Sequence, residues 1–112
     1  MRRRWYSAML RWLVTVAGEP SSVTGAVVVL RARGWDAAQR RAEELGRAGE
    51  ATYRNADGAE VCRRFAGVET LDLLGRRIAD GREVYAEGKL DATPEDLAAL
   101  PAPGEPPTQT GV

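Results

Sequence analysis

The chain has 112 residues, enough for one domain with a modest core, and its 44% hydrophobic and 29% charged content is that of an ordinary globular protein. It holds no histidine and a single cysteine, Cys62, which excludes Ser-His-Asp and Cys-His catalysis, His-ligated metal sites and any intramolecular disulfide. Sixteen basic and sixteen acidic residues cancel, but unevenly: residues 1–49 carry 9 Arg against 4 acidic side chains (net +5), and residues 50–112 carry 7 basic against 12 acidic (net −5). Such asymmetry reads as two halves that neutralise each other in one fold, as a basic arm or as a self-complementary dimer.

Residues 4–16, RWYSAMLRWLVTV, alternate at period two. Tyr6, Ala8, Leu10, Trp12, Val14 and Val16 form an unbroken apolar face; Trp5, Ser7, Met9, Arg11, Leu13 and Thr15 form a mixed one. That is the pattern of a strand lying on a core. Gly18-Glu19-Pro20-Ser21-Ser22 has the chemistry of a loop, and residues 25–33, GAVVVLRAR, read as a second strand pairing antiparallel with the first. The period then becomes helical: in WDAAQRRAEELGRAG, Ala38, Ala42 and Leu45 recur on one side. Asp36 is the expected N-cap, with Gln39 three residues on, and the glycines that follow should end the helix near Ala48. Trp35, just before the cap, is expected to pack as a staple.

EATYRN and AEVCRRFAGV read as a hairpin about Asn55-Ala56-Asp57-Gly58. TLDLLGRRIADG reads as a short second helix, with Leu71, Leu74 and Ile78 on one side, Thr70 as N-cap and Gly81 at its end. REVYAEGKL is the expected last strand. The resulting fold class is α+β: a mainly antiparallel five-stranded sheet, in the order β-β-α-β-β-α-β, with one long helix across a face. Residues 1–90 would form this single domain. Residues 91–112 hold five of the six prolines and read as a largely disordered tail, with at most one helical turn begun by Thr93-Pro94-Glu95-Asp96.

Few residues point to chemistry. Strand alternation turns Arg63 away from Cys62, leaving the thiol as a small hydrophobe. Glu60, Glu69, Asp72, Asp80, Glu83 and Glu87 read as a solvated surface; a carboxylate enzyme or small-ligand binder would instead gather Asp72 and Glu83 around Tyr85. No phosphate-cradling glycine pattern is present, and Asp36 at the helix start would repel an anion. No catalytic residue, metal or cofactor is therefore assigned. Trp5, Tyr6 and Trp12 alternate with Arg2, Arg3, Arg4 and Arg11, the right residue types for nucleic acid. However, burying Tyr6 and Trp12 on the apolar face is worth roughly 1.5–3 kcal/mol each, so nucleic acid is kept only as a minor alternative. The longest apolar run, residues 26–30, is too short to span a bilayer. Arg11 interrupts the stretch behind Arg2, Arg3 and Arg4, which argues against a secretion signal and for a cytoplasmic protein.

Five segments together are distinctive: WYSA at 5–8, GWDAAQRRAEELGRA at 34–48, YRNADGAEV at 53–61, FAGVETLDLL at 65–74 and DGREVY at 80–85. In order and spacing they resemble a family of short bacterial domains of unknown function that open on a Trp-Tyr-Ser-Ala motif. The likeness spans roughly residues 5–87 and leaves out the proline-rich tail. It implies a bacterial, stand-alone, cytosolic protein and brings no catalytic residues with it.

These readings converge on a non-catalytic interaction protein that presents the mixed sheet face to a protein partner or to a second copy. Trp5, Met9, Arg11 and Leu13 are the candidate contact residues, because aromatic and arginine side chains anchor interfaces. A toxin-neutralising immunity protein is one form of this reading, on size and class alone. Truncation after Leu90 is expected to leave the melting temperature nearly unchanged; a large fall in a calorimetric scan would show instead that the tail is docked.

Overall fold

The computed structural model of the protein describes residues 2–86, 93–99 and 102–106. The elements are β1 (Arg4–Val16), β2 (Glu19–Ala32), α1 (Trp35–Ala48), β3 (Ala51–Arg54), β4 (Glu60–Gly75) and a five-residue helix α2 (Pro94–Ala98). The four strands make one antiparallel sheet, in the order β2-β1-β4-β3, curled into a half-barrel. This corrects the expected five-stranded sheet and its second helix. Residues 82–86 form no strand, and residues 87–90, the rest of the expected last strand, lie outside the described residues, as does much of the expected disordered tail.

β1 is the axis of the sheet. It pairs with β2 from Arg4↔Ala32 to Val16↔Glu19 and with β4 from Trp5↔Gly75 to Val16↔Val61. Its apolar face behaves as alternation requires, with Tyr6, Ala8, Leu10 and Trp12 all buried against α1. The connection to β2 is shorter than its sequence suggests. Ala17 and Gly18 alone make the turn, both with positive φ (52° and 82°), and this primed-turn geometry matches the twist of the strands. β2 therefore starts at Glu19 and takes in most of the segment that reads as a loop.

The absent second helix has a specific cause. Register shifts in the β1–β4 ladder leave Ala66, Glu69 and Leu74 without a partner on β1, so β4 is bulged at three places. Each bulge inserts one residue and resets the alternation. Phe65, Val68 and Leu71, which pair with Trp12, Leu10 and Ala8, thus reach the core at a spacing of three rather than two. Read in sequence, Phe65, Val68, Leu71 and Leu74 look like a helical stripe. Gly67, at φ 140°, adopts a backbone conformation at the first bulge that a side chain would resist.

α1 lies on the sheet through its smallest residues. Its buried positions are Ala38, Ala42 and Gly46, each four apart, and they face the large side chains of β1 and β4. The Trp12 indole Nε1 donates a buried hydrogen bond of 2.7 Å to the Gly46 carbonyl, one of the last-turn oxygens that a helix leaves under-satisfied. Gly34, not Asp36, is the N-cap, and no side chain caps the helix; Gln39 turns instead to Glu43 at 3.1 Å. Trp35 meets Tyr6 edge-on at 5.2 Å between ring centres while remaining 52% exposed, so it packs on one edge only.

A Cβ on Gly46 would collide with the Phe65 ring. Alanine gains about 1 kcal/mol of helix propensity over glycine, whereas overpacking a filled contact costs about 1–3 kcal/mol. Gly46→Ala is expected to lower the unfolding free energy by up to about 2 kcal/mol in urea denaturation. Equal or higher stability would mean that the ring moves aside freely.

Candidate functional site

The sheet face turned away from α1 carries the side chains of opposite parity. Trp5, Met9, Arg11 and Leu13 do share it, but they are not equally available. Trp5 is half-buried with the Arg31 guanidinium 5.2 Å over its ring, and Met9 is buried at 8% exposure. Arg11 lies across Gly25 and its Nε donates to Glu69 Oε2 at 2.7 Å. That ion pair is 32% and 48% exposed, so screening keeps its contribution to about 1 kcal/mol or less. Leu13 is open to solvent.

The exposed apolar surface lies mainly on the neighbouring strand. Val23, Val27 and Val29 of β2 are 62%, 38% and 45% exposed, and they pair with Leu13, Met9 and Ser7 of β1. The sequence reading starts the second strand at Gly25, which leaves Val23 out, and assigns no faces within GAVVVLRAR. The signal was there in the parity of 23, 25, 27 and 29, which match the outward set of β1. β2 is also an edge strand, and its residues 20–30 include no charged side chain. Edge strands commonly carry charges, prolines or bulges that discourage pairing; on β2 these are confined to its ends, as Glu19, Pro20 and the register shift at Ser21 at the start and Arg31 near the finish.

Two hydroxyls near this face are orphans. Ser7 Oγ, on a residue 1% exposed, and Thr70 Oγ1 are both buried with no hydrogen-bond partner. Ser7 belongs to the Trp-Tyr-Ser-Ala segment, and its strand neighbours are Val29 and Asp72.

The alternative carboxylate site partly assembles. Asp72, Glu83 and Tyr85 line one cavity of about 250 Å³ together with Leu74, so the chain after β4 runs beside this end of the sheet. Asp72 and Glu83 are both on exposed residues, and neither makes an ion pair or side-chain hydrogen bond among the described residues. General acid–base chemistry draws on carboxylates held in a defined, partly desolvated environment, and this pair has none. Cys62 sits between Thr52, whose hydroxyl donates to the sulfur at 3.7 Å, and Glu60 Oε1 at 3.5 Å. Arg63 lies instead 4.1 Å over the Trp12 ring, away from the thiol. Among the described residues no group of three or more His, Cys, Asp or Glu side chains is placed to hold a metal ion. Nor is any described helix long and apolar enough to cross a membrane.

No family model, curated protein or solved structure matches the chain.

Proposed function

We propose that this is a non-catalytic interaction protein of the cytoplasm that works as a homodimer joined through β2. The observation that carries the reading is a fourteen-residue edge strand with outward valines and no charge across residues 20–30. An unpaired edge offers a row of free N–H and C=O groups, and a second strand satisfies them by extending the sheet.

A second copy is the occupant because β2 is complementary to itself. Antiparallel pairing about a two-fold axis at Gly25 sets each residue against the one whose number brings the sum to 50. Val23 then faces Val27, twice, on the outer face, while the register shift at Ser21 turns Glu19 to the face opposite Arg31. The paired segment, residues 22–28, is uncharged throughout, and the matched valines on one face favour this register. The interface is isologous and closes at two copies, giving one sheet of eight strands. Leu13 and the outward valines of both copies would form a continuous apolar stripe on its outer face. The solvated Asp72–Glu83 pair supports the non-enzymatic side of the reading.

Sedimentation equilibrium is expected to give a dimer for the native chain. Val27→Lys, at a position already partly exposed, should weaken association at least tenfold, about 1.4 kcal/mol, without altering the circular dichroism spectrum. A native chain that stays monomeric at high micromolar concentration would overturn self-pairing, and so would a dimer indifferent to this substitution.

A further inference from the structure

A second surface lies at one end of the sheet, where β2 contributes only its last residues. Because β1 runs antiparallel to both neighbours, its start lies between the ends of β2 and β4: Arg4 pairs with Ala32, and Trp5 with Gly75. Three pairs of arginines just beyond those positions therefore come together. Arg2, Arg3, Arg31, Arg33, Arg76 and Arg77 line one open cleft of about 550 Å³, and no acidic side chain lines it with them. All six are on exposed residues, and among the described residues none forms an ion pair. A second cavity of about 440 Å³ shares Arg3, Arg31 and Arg33 and reaches Arg41 on α1 together with its ion-pair partner Glu44.

In a chain whose formal charge is zero, six unpaired guanidinium groups in one place are a local excess that repels itself. Among the described residues only Arg11 and Arg41 form ion pairs, so what sets these six apart is their convergence on one cleft with no acidic side chain in its lining. We propose that this cleft is a binding site for an anion carrying several phosphates. The size is that of a small-molecule pocket, and one or two carboxylates could not balance the charge within it. Phosphate groups supply the most negative charge per volume, and each presents oxygens that match the guanidinium fork. Arg31 is held over Trp5, so at least one guanidinium is pre-oriented and a bound anion changes the surroundings of that indole. The same chemistry is offered by a free oligophosphate and by the backbone of a single-stranded nucleic acid.

The test titrates the full-length protein with inorganic tripolyphosphate by calorimetry and, in parallel, with a fluorescently labelled oligothymidylate by anisotropy, both at low salt. One-to-one tripolyphosphate binding with a change in tryptophan fluorescence is expected. It should weaken at least tenfold in the double variant Arg76→Gln, Arg77→Gln, whose residues are exposed and outside the β2 edge. Arg54→Gln, at the far end of the sheet, should leave it unchanged. If the oligonucleotide binds far more tightly than tripolyphosphate, with a salt slope of several times about −0.7, the phosphates come from a strand. Tripolyphosphate binding as tight as the strand's means a free anion. The proposal is overturned if neither probe binds, or if the double variant, with an unchanged melting curve, binds both as the native protein does. Because Arg76 and Arg77 take no part in the self-pairing, the cleft can fail while the dimer stands, and the reverse.

Discussion

The structure depends on the double pairing of β1. With β2 on one side and β4 on the other, this strand cannot slip in register without turning Tyr6, Leu10 and Trp12 out of the core. The same constraint fixes the rest. One face receives α1, the other is left to carry Trp5, Met9, Arg11 and Leu13, and the strand's start is fenced by two arginine-bearing strand ends. The bond from Trp12 to the Gly46 carbonyl then ties the helix to the strand at one point, in a buried setting where leaving the indole N–H unpaired would cost about 1–3 kcal/mol.

Packing between α1 and the sheet follows a size rule. Ala38, Ala42 and Gly46 give the helix a flat face, while Tyr6, Trp12 and Phe65 supply the bulk from below. Helix and sheet come close enough that a single methyl at position 46 has no room. This concentrates the large apolar side chains on one side of the sheet. The opposite side keeps smaller residues, valines above all, and the half-buried Trp5 under its arginine. A sheet so loaded has a thick, closed face and a thin, open one, and its open face leads straight to the unpaired edge of β2.

How much of this was legible depended on whether local pattern and tertiary pairing agreed. In β1 and α1 they did: strict alternation and a four-residue repeat of small side chains translate directly into strand and helix. In β4 they did not. The bulges at Ala66, Glu69 and Leu74 are set by pairing with β1, fifty or more residues away, and they convert a period of two into an apparent period of three. Thr70-Leu71-Asp72-Leu73-Leu74 has helix-forming residues and a plausible cap, yet it is held extended by its ladder. The candidate contacts on β1 were read correctly as one face, but burial within that face was invisible: nothing local says that Met9 is covered and Val29 is not. The arginine cleft was harder still. Its three pairs are distant in sequence, and only the antiparallel topology brings them to one end of the sheet.

In a lone protomer, alternate backbone amides of β2 point toward β1 and toward the free edge. Amide hydrogen exchange read residue by residue across residues 21–31, at dilute and at high protein concentration, is the most direct test of whether that edge is used. Self-pairing predicts that the outward amides exchange freely when dilute and become as slow as the inward ones when concentrated. If every second amide stays fast at all concentrations, the edge is unpaired in solution and β2 is not the joint between two copies.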